Sequence, residues 1–318
     1  MVVPVRDRRE LLRACLDGLA RQTFDDYDVI VVDDGSADGS GQEGHADAAI
    51  GRPVRVVRTA GCGAVAARSA GVAASRAPFL AFTDSDCVPT AGWLAAGVAA
   101  LDDGADLVQG LTRPNGPTKP LERSIWVLRE SGLYETCNVF YRRSAFDHAG
   151  GFDSGAGGGL GFRPGRTARH LGMGEDTLLG WRVRRAGRSV WAPEAVVEHA
   201  VFPPDPWDKL RRTWMMGAFP ALVREVPELR EVLMTRRYFA GSPTRVPIYA
   251  AATLMVAGRP RAALGALALW VGLRAKRLHA HEPSRREVLR LLPMDLASDG
   301  LAAGVLIAGS VRARRIVL

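Results

Sequence analysis

Between residues 2 and 206, short β-rich runs alternate with stretches whose apolar residues recur at helical spacing. Runs 2–5, 28–32, 54–57, 79–83 and 107–110 read as strands. Between them, 10–21 sets Leu11, Leu12, Cys15, Leu16 and Leu19 on one helical face, and 64–75 reads as an alanine-rich helix. This alternation predicts an α/β layer structure built on half of a doubly wound sheet. Ligands of such sheets bind beyond the carboxyl ends of the strands. Two polar clusters fall there: Asp33-Asp34-Gly35-Ser36 after the second strand and Asp84-Ser85-Asp86 after the fourth. Both are expected to face one crevice.

Further along, 153–174 is a long stretch with a glycine-rich run at 155–159 and two arginines, Arg163 and Arg166, and it reads as a mobile lid. A helix with a glycine stop follows, carrying Leu178, Leu179 and Val183 before Arg184-Arg185-Ala186-Gly187. After residue 206 the character changes. Segments 246–258 and 262–273 are apolar, Arg259-Pro260-Arg261 separates them, and 301–307 is a shorter apolar run. None reaches the ~20 residues that cross a bilayer, so a helical hairpin lying in the membrane interface is the expectation. The alternative is a packing extension or an oligomer interface. The expected organisation is 1–110 for a nucleotide-binding half, 111–206 for an acceptor-binding and catalytic half, and 207–318 for a helical extension.

The composition is that of an ordinary globular chain, with 47% hydrophobic and 24% charged residues. A net charge of +8 invites nucleic acid, a membrane surface or an anionic substrate as partner. Much of the excess lies in the last third, among them Arg259, Arg261, Arg274, Lys276 and Arg277, interleaved with apolar runs, which is the pattern of a membrane surface. No zinc-finger spacing or aromatic RNA-binding motif supports nucleic acid. The four cysteines, Cys15, Cys62, Cys87 and Cys137, form no Cys-x-x-Cys pair and fit a reducing compartment. Nothing near Met1 has the pattern of a secretory signal, so the catalytic part is expected in the cytoplasm, at the inner face of the membrane.

Two carboxylates two residues apart at a strand end, Asp84 and Asp86, suit a hard divalent cation that leaves positions for phosphate oxygens. Alone, an Asp-x-Asp is an acidic turn. Its surroundings change that. Val3-Pro4-Val5-Arg6-Asp7, Val31-Val32-Asp33-Asp34-Gly35-Ser36, Ala66-Ala67-Arg68 and Phe82-Thr83-Asp84-Ser85-Asp86 occur in one order. They resemble the nucleotide-binding half of the family 2 glycosyltransferases, which have the GT-A fold. Asn138-Val139-Phe140-Tyr141-Arg142-Arg143, Gly150-Gly151-Phe152-Asp153, Gly174-Glu175-Asp176 and the run 193–199 resemble the acceptor side of that family.

The resemblance implies a Rossmann-like sheet flanked by helices and an inverting transfer from a UDP- or dTDP-sugar to an acceptor hydroxyl, with Mg2+ or Mn2+ on the diphosphate. It places Pro4, Val5, Arg6, Asp33, Asp34, Ser36, Arg68, Asp84 and Ser85 around the nucleotide, with Asp33 accepting from the base. Asp86, Asp84 and His199 would hold the metal. Asp176 would act as base, with Glu175 orienting the acceptor. Asn138, Gly151, Phe152, Asp153 and Gly174 would meet the acceptor or donor sugar. The acceptor itself, a lipid-linked glycan or a small molecule, is left open, as is a homo-oligomeric state. Two other classes compete. A nucleotidyltransferase would need glycines where Arg6-Asp7-Arg8-Arg9 stands. A silent nucleotide-binding protein would have no chemical need for Asp84, Asp86, Asp176 and His199 together.

Overall fold

The computed structural model describes residues 1–43, 54–119, 121–152, 174–239, 245–279 and 284–318. They form two compact units, Met1–Pro117 with Ser124–Val201, and Thr118–Arg123 with Phe202–Leu318.

The first unit runs β1 (Val2–Val5), α1 (Arg9–Ala20), β2 (Val29–Asp33), α2 (Ser40–Glu43), β3 (Val54–Arg58), α3 (Ala64–Ala73), β4 (Phe79–Thr83), β5 (Cys87–Pro89), α4 (Trp93–Asp102), β6 (Leu107–Pro114), β7 (Asn138–Arg142), α5 (Arg143–His148), α6 (Glu175–Ala186) and β8 (Ser189–His199). One eight-stranded sheet has the order β3-β2-β1-β4-β7-β6-β8-β5. The strands β3, β2, β1 and β4 are mutually parallel, as the alternating pattern predicts. At β4 the sheet turns mixed, because β7 pairs antiparallel with both β4 and β6. That register sets Asn138 beside Thr83, at the same end as the polar turns of β2 and β4.

The core explains why these runs are strands and helices. All five residues of β2 are buried, and α1 turns Leu12, Cys15, Leu16 and Leu19 inward. Burying a side chain of this size stabilises by about 1.5–3 kcal/mol, so the face holds the helix against the sheet. A second cluster joins Phe82, Tyr141, Phe146 and Phe152, with the Phe82 and Phe152 rings 5.1 Å apart edge to face.

The second unit holds α7 (Pro206–Met215), a 3-10 turn (Met216–Ala218), α8 (Phe219–Glu225), α9 (Leu229–Val232), α10 (Val246–Val256), α11 (Pro260–His279) and α12 (Arg285–Ala313). Asp205 caps α7 by accepting from the Trp207 and Asp208 amides. The predicted hairpin is present as α10 and α11, reversing at Gly258 with φ +71°. The 301–307 run, read from sequence as a short apolar piece, lies inside the 29-residue α12. That helix has the length and composition to cross a membrane, with 33% of its most apolar window buried in the unit. Asp295 and Asp299 break its apolar pattern in the sequence, yet both are buried and paired. Asp295 meets Lys209 and Arg274, while Asp299 meets Arg245, Arg274 and the Trp270 indole.

Candidate active site

A cavity of about 410 Å³ opens at the carboxyl ends of β1, β2 and β4, within the size range of small-molecule sites. Pro4, Val5, Arg6, Arg8, Asp34, Gly63, Ala64, Ala67, Arg68, Asp84 and Ser85 line it. Of the residues expected around a nucleotide, Pro4, Val5, Arg6, Asp34, Arg68, Asp84 and Ser85 therefore share one wall.

Asp33 does not line that cavity. It is fully buried beneath α2, where a Cβ added at Gly41 would strike its carboxylate. Its Oδ1 accepts from the Ser36 amide at 2.9 Å. The sequence reading that put Asp33 against the base is thus redirected: the side chain that reaches the cavity is its neighbour Asp34, because successive residues leave a strand end on opposite sides. Asp34 also fastens the loop before α3, accepting from Thr59 Oγ1 at 2.5 Å, the Cys62 amide at 2.7 Å and the Gly63 amide at 2.8 Å. Burial alone would raise its pKa, but these hydrogen bonds outweigh it and hold the group ionised below its ordinary range. Ser36 stays in the turn, its Oγ accepting from the Asp7 amide at 3.0 Å.

A second cluster is tied to the cavity through Arg8, which lines it. Asp86 and His199 are both buried, with His199 Nε2 3.7 Å from Asp86 Oδ2. The imidazole is oriented from behind, since Nδ1 stands 2.7 Å from the Ala200 carbonyl, which only accepts. Nδ1 faces that carbonyl, and Nε2 is the ring nitrogen on the Asp86 side. Cys87 pairs across the strands with His199 and completes a group whose ligand atoms all lie within 4.8 Å of one another. Its neighbour Cys137 and burial push the Cys87 thiol well above the usual range. Arg8, which the sequence reading passed over, places its guanidinium on Asp86 Oδ2. Arg8 thus partners this buried carboxyl, and the oxygen–nitrogen donor set of Asp86 and His199 fits a divalent metal there.

Arg68 links the two acidic halves of the site. It donates to Asp84 Oδ1 at 2.7 Å and feels the charges of Glu175 and Asp176. The acidic pair opens α6, preceded by Gly174 in the left-handed region at φ +91°. Asp176 is pushed up to about 8, first by burial and then by the charges of Glu175 and Glu135, against the Thr177 amide at 2.8 Å and Arg68. Tyr141, from the acceptor-side motif, and Glu135, which no sequence motif singles out, are thus neighbours of Asp176, and Glu135 Oε2, Glu175 Oε2 and Tyr141 Oη are buried without a hydrogen-bond partner among the described residues.

Several expected sugar contacts sit elsewhere. Asn138 is a framework residue: Oδ1 accepts from Trp93 Nε1 at 2.8 Å, and Nδ2 donates to the Leu111 and Ala195 carbonyls at 2.8 and 2.9 Å. It is wholly buried and ties α4, β6 and β8 together. Gly151 forms a turn at φ +62° and Phe152 is part of the aromatic core. Asp153 and the rest of the expected lid, through residue 173, lie outside the described residues.

Residues 1–154 match the family described as glycosyl transferase family 2. Residues 1–154, just under half of the chain, are thus similar to that family. The chain is 31% identical over 166 residues to glycosyltransferase AglE of Haloferax volcanii, covering 48% of this chain and 55% of AglE. It is 34% identical over 86 residues to the uncharacterized glycosyltransferase EpsJ of Bacillus subtilis, covering 27% and 25% of the two chains. The matched part thus spans about half of AglE and a quarter of EpsJ. Among solved structures, the mannosyltransferase PcManGT of Pyrobaculum calidifontis, in complex with GDP-Man and Mn2+, superposes with a TM-score of 0.61 at 18% identity, over 98% of this chain and 86% of that one. The first unit therefore has the GT-A fold of that neighbour, a mixed curled sheet flanked by helices.

Proposed function

We propose that this chain is a glycosyltransferase that moves a sugar from a nucleoside-diphosphate donor to an acceptor hydroxyl with inversion at the anomeric carbon. The observation that carries the reading is the cavity bounded by Asp34, Arg68, Asp84 and Ser85, with the buried Asp86–His199 pair joined to it through Arg8. Three of Asp34's four lone-pair positions are filled by the loop, which leaves one on the cavity side for an N–H of a pyrimidine base, as in a UDP- or dTDP-sugar. Arg6 and Arg8 bring positive charge to the cavity mouth, where a diphosphate would lie.

Asp86 and His199, with Asp84 nearby in sequence, would hold Mg2+ or Mn2+. A divalent ion there supplies charge neutralisation to the departing diphosphate. Asp176 takes the proton of the acceptor hydroxyl as its oxygen attacks the anomeric carbon. The bond to the diphosphate oxygen breaks on the opposite face, and Arg68 keeps the two acidic centres in one electrostatic unit. Glu175 orients the acceptor. The second unit brings the domain to the inner face of the membrane through the apolar hairpin of α10 and α11.

The test is single-turnover transfer or donor hydrolysis with a panel of nucleotide sugars and Mn2+. Asp86→Ala and Asp176→Ala should each lower turnover by at least about a hundredfold, the scale of a lost general base. Retention of wild-type turnover in either variant would overturn the assignment of that residue.

A further inference from the structure

We propose that Cys87 is a third protein ligand of the metal centre, so that the site takes thiophilic divalent cations of the zinc class more tightly than magnesium or manganese. The inference rests on the metal-centre reading above and goes beyond it in naming the sulfur ligand and the metal preference that follows.

Three observations converge. Cys87 and His199 are directly opposed in the antiparallel β5–β8 pair, which sets their side chains next to each other on one face. Cys87 Sγ is 3.9 Å from Asp86 Oδ1, and His199 Nε2 is 3.7 Å from Asp86 Oδ2. The ligand atoms of Asp86, Cys87 and His199 lie within 4.8 Å of one another, and all three residues are buried. Small side-chain adjustments close such a triangle onto one ion. The His199 ring is already fixed by the Ala200 carbonyl, as in metal sites whose imidazole is oriented from behind.

The donor set decides which ion. Magnesium and manganese favour oxygen, whereas sulfur with imidazole and carboxylate is a zinc-type set. Three protein ligands leave a fourth position for a water or a diphosphate oxygen, the arrangement of reactive rather than closed zinc sites. Coordination is a proton exchange: the sulfur–hydrogen bond breaks, the sulfur–metal bond forms, and the proton goes to solvent. Arg8 leaves Asp86 Oδ2 when the ion arrives. Cys137, beside Cys87, is not part of the triangle and acts as its neighbour.

The test uses the full chain carrying Cys62→Ser, which removes the exposed thiol, without donor. Addition of Cd2+ or Co2+ should produce sulfur-to-metal charge-transfer absorption that saturates at one ion per chain. Cys87→Ser should abolish the band and weaken Cd2+ binding by more than about a hundredfold, beyond the loss usual for an outer-shell partner. Mn2+ binding followed by electron paramagnetic resonance should persist in that variant, and Cys137→Ser should keep the band. If Cys87→Ser does not fold, the cadmium-113 resonance of the parent decides, since a thiolate ligand shifts it far from the oxygen–nitrogen range. Stoichiometric Mn2+ binding with no sulfur band, or a band unchanged in Cys87→Ser, overturns the sulfur ligand and leaves the metal centre standing. Absence of binding by both Mn2+ and Cd2+ overturns both.

Discussion

Asp176 shows how burial tunes a single carboxyl. Its folded pKa of about 8 lies above the ordinary carboxylate value of roughly 3.9. A general base works only when ionised, so kcat/KM of the domain should rise with pH and level off above about 8. Asp176→Glu should shift this limb, whereas a flat profile across pH 6–9 (roughly the span over which such a group titrates) would contradict the assignment. The same shift has a sign for stability. Between the unfolded and folded pKa values the folded state holds the extra proton, so this group's stabilisation is complete at low pH and is lost as pH rises toward 8. Arg8 gives a second residue-level test. It competes for Asp86, so Arg8→Ala should tighten Mn2+ binding in donor-free protein by about tenfold, the equivalent of one charge-assisted hydrogen bond. Asn138 gives a third. Its three buried hydrogen bonds make Asn138→Ala a stability variant, costing roughly 3 kcal/mol by chemical denaturation. A large rise in donor KM with unchanged stability would restore a sugar-binding role.

At the scale of elements, what the sequence showed and what it hid have physical reasons. The parallel strands β1 and β4 begin and end where apolar periodicity places them, and β2 and β3 differ by one residue at their ends, because buried parallel strands are continuous apolar runs. β5 is three residues long and carries too little pattern to be read. β8 contains Pro193 and Glu194, and its pairing with β6 shifts register at Gly110/Leu111, so its alternation is broken. The acidic motifs were legible as a group. The choice between Asp33 and Asp34 was not, since it depends on which side of the strand end faces the cavity. Arg8 and Glu135 were invisible because each joins the site only through tertiary packing. α6 offers an element-level prediction. Gly174 holds φ +91° immediately before Glu175 and Asp176. Gly174→Ala should cost about 1–2 kcal/mol and lower kcat by displacing the acidic pair, while the far-ultraviolet spectrum stays that of the native fold.

At the scale of the whole molecule, the second unit presents apolar surface with basic residues around it. Val256 is 91% exposed, and Met255, Leu264 and Leu269 are exposed on the same hairpin as Arg259, Arg261, Lys276 and Arg277. Lys and Arg near an anionic leaflet contribute about 1 kcal/mol each. The full chain should therefore float with anionic vesicles, less so at high salt, and Val256→Glu with Leu264→Glu should reduce flotation. Equal flotation of that variant would remove the hairpin as the anchor. On the function proposed above, the cavity in the first unit binds a nucleoside diphosphate through a metal held at Asp86. The most direct measurement is calorimetric titration of uridine, thymidine and guanosine diphosphates, with and without Mn2+, into wild-type and Asp86→Ala protein. At least one of them should bind only with Mn2+ and lose that binding in Asp86→Ala; equal affinity with and without the metal in both proteins would rule out a metal-held diphosphate at Asp86.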